Sequence, residues 1–412
     1  GRLPRNVEVR EFFMKTGDYL GNPAAQQNYI STNYTFVVRD MAVQGLNVLA
    51  QAVAARGEGD AMRLSLSSNP AVTLAVGERY AALGKHTQAT AAGYAIGLHA
   101  SSLVADGGTL QIGIGSLGDA IAQALIVRDR HAAEYAQILQ TLTHGQMAGR
   151  ELGRFEQGLY GCSEMFVNGF LRLIEAGIIR REVFGDEVLQ QLINDGRIAD
   201  ETVTPDTLRA LLDAGRVRSP LSDEDLSFLQ RFGVLRKDVA LQGEQLVLGA
   251  HRCAADLLDD DAFACVTAHM LGSRLAGGIV MHGGFFLGPR DFYERLRTMP
   301  AADLAKIDMT RIDFINQLYG QGELKRAQRR KARFMNTTMI VTLLGAACSD
   351  ALETGEVVSG VGGQYNFVAM SHALPDARLI MMLRATHDNK DGLRSSIVWN
   401  YGHVTIPRHL RD

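Results

Sequence analysis

The stretch LQIGIGSLGDAI, residues 110–121, decides the fold class. Extended back to Thr109, it begins as a short apolar run of strand character and stops at Gly113 and Gly115. From Ser116 to Leu142 the apolar positions Ile121, Leu125, Ile126, Ala133, Ile138 and Leu139 fall at helical spacing. A strand that passes through a G-x-G turn into a helix is the repeating unit of an α/β fold with a parallel sheet. The turn itself has two readings. Gly113 and Gly115 let backbone N–H groups approach a ligand at the positive end of a helix, or they form a tight turn and nothing more. No acidic ribose ligand follows at the distance a dinucleotide fingerprint requires.

The alternation continues outward. GGIVMHGGFF (277–286), MIVTLLGA (339–346) and RLIMMLRAT (378–386) read as buried strands, and Phe166–Ala176 as a short amphipathic helix. From Glu182 to about Gly277 the pattern is instead almost entirely helical, with Thr204-Pro-Asp and Ser222-Asp-Glu-Asp as N-caps. Roughly ninety residues are too many for a loop, so residues 183–276 are expected to be a helical insertion serving as an oligomer contact or lid. A length of 412 residues, at roughly 150 per domain, predicts two or three domains. We place them at 1–150 and 151–412, the second carrying the insertion. The start, GRLPRNVEVREFF, and the end, IPRHLRD, both read as cut.

Composition excludes several classes of function. With 46% hydrophobic and 21% charged residues and a net charge of −3, the chain lacks the basic balance of a nucleic-acid or membrane-surface protein. No apolar run approaches the ~20 residues that span a bilayer, and the N-terminus has no apolar signal segment. Cys162, Cys253, Cys265 and Cys348 lie far apart with no C-x-x-C pair. That pattern argues against a disulfide scaffold or structural zinc and favours a reducing, cytoplasmic location. The scattered histidines suggest no metal centre, and His282 reads as a core histidine. KRAQRRKAR (325–333) has six basic residues in nine but no aromatics, and reads as a solvated helix face; Asp259–Asp261 reads as a surface loop.

Two further stretches carry candidate chemistry. In GLYGCSEMFVNGFLRLIEAGII (158–179), Glu164 occupies a polar interruption before the helix. A carboxylate there can act as base, metal ligand or nucleophile, or it caps a helix at the surface. Cys162 reads as an inert buried thiol. In VVSGVGGQYNFV (357–368), three glycines in four positions give a loop of exposed N–H donors suited to an oxyanion or phosphate. Upstream, RFMNTTMIV (333–341) places Asn336 at the mouth of a strand or in a turn.

In this order, the segments resemble the acetyl-CoA hydrolase/transferase family, the class I CoA-transferases that include 4-hydroxybutyrate and succinyl-CoA:acetate CoA-transferases. The matching residues are Leu110–Ala120, Cys162-Ser163-Glu164 with Asn168-Gly169, Asn336–Val341, and Ser359–Phe367; GFFLGPRDFYERL (284–296) resembles a family strand–helix segment. Gly118 and Asn366 depart from the family pattern, and the insertion lies outside the compact family core. The resemblance implies two open α/β domains of the CoA-transferase type with the active site between them. It implies Glu164 as covalent nucleophile and the Gly363 N–H as oxyanion donor. Gly113, Gly115, Ser116, Leu117, Met339, Ser359, Gly362 and Gly363 would line the CoA site. Coenzyme A would be a substrate, exchanged between an acyl-CoA and a short carboxylic acid, with no permanently bound cofactor or metal. An acetyl-CoA hydrolase would need the same residues. A catalytically dead CoA-binding assembly protein, with the insertion mediating assembly into a homo-oligomer, is the reading from another class.

Overall fold

A computed structural model describes residues 8–43, 54–56, 63–65, 90–199, 202–389 and 392–410. The expected first domain falls partly on residues 1–7, 44–53, 57–62 and 66–89, which lie outside the described residues. Two short antiparallel strands, β1 (Ala54–Arg56) and β2 (Arg63–Ser65), belong to that part of the chain.

The centre of the fold is a six-stranded sheet. Its strands are β3 (Thr109–Ile112), β4 (Tyr160–Val167), β8 (Met281–Leu287), β9 (Ile307–Met309), β10 (Arg333–Thr337) and β13 (Arg378–Met382). They lie in the order β13-β10-β3-β4-β8-β9, and every pairing is parallel. Parallel strands need covered crossovers, and both faces of such a sheet are packed. Thus all four residues of β3 are buried, as are all but one of β4. The α/β class read from residues 110–121 is the one observed. The sheet takes β3 from before residue 150 and its other strands from beyond it, so the boundary expected there falls within a single sheet.

The direction of the chain reverses within this sheet. β3, β4, β8 and β9 proceed towards one edge, after which the chain returns to add β10 and β13 on the other side of β3. The switch point therefore lies between β3 and β10, where the carboxyl ends of parallel strands open a crevice for ligands. Asn336 on β10 spans it, donating from Nδ2 to Oε1 of Gln111 on β3 at 3.2 Å.

Several local expectations are corrected. The helix expected over 116–142 is two, Ser116–Arg130 and Ala132–Leu142, separated at His131. Strand β4 continues through Val167, and its helix begins only at Asn168. MIVTLLGA yields only β11 (Ile340–Thr342), which joins β12 (Ala347–Cys348) and β16 (Ile397–Val398) in a separate small sheet, leaving Leu343 and Leu344 exposed. Beside it lies the hairpin β14 (Thr386–Asn389) and β15 (Gly392–Ser395).

The insertion emerges between the neighbours β4 and β8. It contains the antiparallel meander β5 (Ala240–Gln242), β6 (Gln245–Leu248) and β7 (His251–Ala254) as well as helices, so it is not almost entirely helical. Its apolar core runs from Phe184 to Leu275 and is separate from the core under the main sheet. Cys253 and Cys265 form a disulfide, a pairing that the spacing argument against a disulfide scaffold did not anticipate. Asp259, read as part of a surface loop, instead N-caps the following helix through the Ala262 N–H. The basic run is not a solvated face either. Lys325 donates to the carbonyls of Gln317 and Tyr319, and buried Arg329 and Arg333 donate to those of Ile315 and Leu103. Among the described residues no helix is long and apolar enough to cross a membrane.

Candidate active site

Glu164 is on strand β4 rather than in a polar interruption, and its side chain is only 4% exposed. Two donors hold it. The Nδ2 of Asn316, itself fully buried, donates to Oε2, and the backbone N–H of Gly363 donates to the same carboxylate. Burial pushes the Glu164 carboxyl up to about 7, against the opposing pull of Asn316 and Gly363. A buried carboxylate close to half-ionised at neutral pH is unlike a surface cap. The surface reading of Glu164 is excluded by this burial.

The loop that brings Gly363 to Glu164 is shaped by its glycines. Gly362 adopts φ +62°, in the left-handed region. A Cβ on Gly363 would lie 2.1 Å from Glu164 Oε2 and 2.7 Å from Asn316 Nδ2, so the carboxylate rests directly on the peptide. The loop is anchored from behind by residues near the N-terminus. Gln26 exchanges hydrogen bonds with the backbone of Val357 at 3.0 and 2.7 Å, Gly17 N–H donates to Val358 O at 2.8 Å, and Gly360 N–H donates to Met14 O at 3.3 Å. Ser359, at the start of the loop, lies with its hydroxyl 3.5 Å from that of Thr16, and both its backbone N–H and that of Val358 reach the Asp350 carbonyl.

The G-x-G turn stands on the adjacent strand. Ser163 Oγ donates to Ile112 O at 3.2 Å, fixing the end of β3 beside β4 one residue before Gly113. Gly115, at φ +99°, precedes the helix whose first residues are Ser116 and Leu117. The turn thus sits at the switch point, a strand away from Glu164. Met339 is less well placed. Its amide bonds to Cys348 O in the passage to the small sheet, and no described contact ties it to Glu164.

Two residues of this site carry no sequence signal. Asn316 lies in DFINQLYG, a segment without a motif, and only the tertiary fold delivers it to Glu164. Tyr34 is the second. Its hydroxyl is pushed well above its usual value by burial and then by the charge of Glu164, and its ring packs on Phe13 and Phe285 at centroid distances of 5.5 and 5.4 Å. Two glycines, Gly284 and Gly360, give way to close neighbours: a Cβ on Gly284 would meet the Glu164 carbonyl at 2.8 Å, and one on Gly360 would meet the Phe13 ring. His282 behaves as a core histidine, bonded to Tyr160 OH at 2.7 Å and paired with Asp308.

One cluster away from Glu164 brings Cys348, Asp350 and His403 within 4.8 Å of one another. It is internally satisfied: His403 Nε2 and the Thr405 hydroxyl bond Asp350, while Cys348 Sγ donates to Ala351 O at 3.0 Å.

Residues 288–412 match the family model for the acetyl-CoA hydrolase/transferase C-terminal domain. The matched domain includes the small sheet, the Gly363 loop and Asn316, whereas Glu164 precedes it. Similar solved structures include RipA from Yersinia pestis, at 18% identity and TM-score 0.38, covering 76% of this chain and 42% of that one. A 4-hydroxybutyrate CoA-transferase from Porphyromonas gingivalis is similar at 15% identity and TM-score 0.36, covering 77% and 44%. The chain therefore spans less than half the length of either structure. Among curated proteins none matches the sequence.

Proposed function

We propose that this chain transfers CoA between an acyl-CoA and a carboxylic acid through a covalent intermediate on Glu164. The observation that carries the reading is the buried Glu164 carboxylate, held by Asn316 and by the Gly363 N–H beside a glycine loop. A carboxylate in water is a weak nucleophile. Removed from water and held in one orientation, it gains both basicity and proximity.

The reaction balances without a redox step. The Glu164 carboxylate attacks the thioester carbonyl, and collapse of the tetrahedral oxyanion expels CoA thiolate to leave an acyl-glutamyl anhydride. The thiolate then attacks the glutamyl carbonyl, releasing the first carboxylate and leaving glutamyl-CoA. An incoming carboxylate runs the same steps in reverse. Each tetrahedral species carries an oxyanion, and the Gly363 N–H and the Asn316 amide, which hold the Glu164 carboxylate, would be its donors. The G-x-G turn, with Gly113, Gly115, Ser116 and Leu117, would face the CoA from the switch point. Ser359 would lie further along the same loop, and Met339 has the least structural support among the proposed CoA contacts.

The test is trapping. After incubation with acetyl-CoA and borohydride, the mass change expected of a reduced glutamyl thioester should map to Glu164. Glu164→Ala should lower turnover by at least about 10³-fold while retaining the melting transition. An adduct on another residue, or wild-type turnover in Glu164→Ala, overturns the assignment. Release of CoA that needs no acceptor acid identifies a hydrolase, and CoA binding without turnover identifies an assembly protein.

A further inference from the structure

We propose that His251, Cys253, Cys265 and His269 form a zinc site in the thiol form of the insertion. The four donors come from two adjoining elements. His251 and Cys253 are two apart on β7 and share one face; Cys265 and His269 are four apart on the helix Asp260–His269 and share one face. These faces meet. Cys253 and Cys265 are joined with their Cα atoms 5.7 Å apart, and the rings of His251 and His269 stack at 4.0 Å with planes 15° apart.

A sulfur pair therefore lies beside an imidazole pair, only roughly 6–7 Å further along either backbone. Two sulfurs and two imidazoles are the donor set of a closed tetrahedral zinc site, and thiolates favour zinc over harder cations. The i,i+2 step on a strand and the i,i+4 step on a helix each point two ligands in one direction. The local architecture is an antiparallel hairpin, β6–β7, followed by a helix. A metal there would staple the hairpin to the helix at the rim of the insertion's own core, which already contains Cys253 and Val266. The stacked rings are already side by side, and each would turn about its side-chain bonds to aim a ring nitrogen at the metal.

Bond and metal compete for the same sulfurs. A dithiol reductant delivers two electrons and two protons to the Cys253–Cys265 bond and is itself oxidised to its cyclic disulfide. Zn²⁺ then takes both sulfurs as thiolates, releasing the two thiol protons, together with two neutral imidazoles. The same residues hold a metal in a reducing compartment and a covalent bond in an oxidising one.

The test uses the whole chain, stripped of metal and kept under reductant, titrated with Zn²⁺ against a chromophoric chelator. One Zn²⁺ per chain is expected, and Co²⁺ in its place should give the intense visible absorption of a tetrahedral thiolate site. The oxidised chain should take up neither. Substituting both His251→Ala and His269→Ala should weaken Zn²⁺ binding by more than the roughly 10–100-fold typical of losing an outer ligand partner. Both side chains are exposed, so folding is preserved, and a thermal melt without metal checks that. Cys253→Ser should remove the cobalt–thiolate absorption. His403→Ala, in the Cys348–Asp350–His403 cluster, should leave binding unchanged. The proposal is overturned by a reduced chain that takes up no Zn²⁺, by uptake indifferent to the paired histidine substitution, or by uptake lost in His403→Ala instead.

Discussion

The surroundings of Glu164 and the insertion are built in opposite ways. Glu164 on β4 meets Asn316, Gly363 and the charge-sensing Tyr34, residues separated by up to hundreds of positions in the chain. The insertion closes its core within Phe184 to Leu275, and each of its helices starts on a local cap. Asp186 accepts from the Leu189 N–H, Ser222 and Asp225 cap each other reciprocally, and Asp259 accepts from the Ala262 N–H. The comparison teaches that one region is stabilised by neighbours in sequence and the other is assembled by topology. Chemistry should therefore be fragile in the first region, and stability alone should respond in the second.

Among the groups that hold Glu164, the largest expected effect is at Gly363. Its missing Cβ leaves the Glu164 carboxylate in contact with the peptide, and an added methyl would displace both Glu164 and Asn316. Gly363→Ala should reduce turnover by about 10²–10³-fold, the loss typical of an oxyanion donor. The unfolding free energy should fall by only about 1–3 kcal/mol, as for overpacking elsewhere. A Gly363→Ala protein with full turnover would break the comparison at its strongest point.

Next comes Asn316. Its amide stabilises the ionised form of Glu164, so Asn316→Ala should push the carboxyl above its value of about 7. The nucleophile is the carboxylate, so wild-type turnover rises with pH through about 7, and the variant's rise should be displaced to higher pH. At pH 7 turnover should be about tenfold to a hundredfold lower, matching a lost hydrogen bond to a charged group, and should partly recover in alkaline buffer. An unshifted pH profile would detach Asn316 from the chemistry.

Glu164 also has a signature in stability. Its folded value of about 7 lies above the 4.5 of a free glutamate, so the folded chain holds a proton there that the unfolded chain has released. Stability is complete below the unfolded value and is lost as pH rises through about 7. Glu164→Gln, which has no charge to bury, should gain on the wild type by up to about 3 kcal/mol between pH 4 and pH 8. Denaturant melts of both proteins at the two pH values measure this, and parallel curves would contradict the buried charge.

What the sequence disclosed follows the same division. The strand–turn–helix unit at residues 110–121, the acidic caps at Ser222 and the glycine loop before Phe367 were legible because each is settled by neighbours within a few positions. Glu164 was legible as a candidate, but its setting was not. Only the parallel pairing of β4 with β3 and β8 turns a polar residue in an apolar run into a buried carboxylate. Asn316 and Tyr34 had no local signal because their partners are supplied by topology. MIVTLLGA misled for the converse reason: only Ile340–Thr342 of this apolar run forms a strand, the middle one of a three-stranded sheet, and Leu343 and Leu344 beyond it are turned to solvent. The Cys253–Cys265 pairing required knowing that β7 and the following helix lie side by side.

The smallest expected effect tests the other half of the comparison. Gly249, in the turn between β6 and β7, adopts φ +58° with open space where a Cβ would be. Gly249→Ala therefore meets no neighbour, and its cost is the left-handed backbone alone, about 1–2 kcal/mol. That cost falls on a hairpin within the insertion's own core. The insertion touches the rest of the chain at few polar points, among them Asn194 Nδ2 to Ala327 O and Gln328 Nε2 to Phe184 O, both at 2.8 Å, and the Val183–Ile279 bridge. None of these involves Glu164, Asn316 or Gly363. Gly249→Ala should thus lower the melting transition while leaving turnover and its pH midpoint where they were. If turnover falls with stability, the insertion is mechanically joined to the site through the Phe184 and Ile279 contacts, and those residues become the next ones to change.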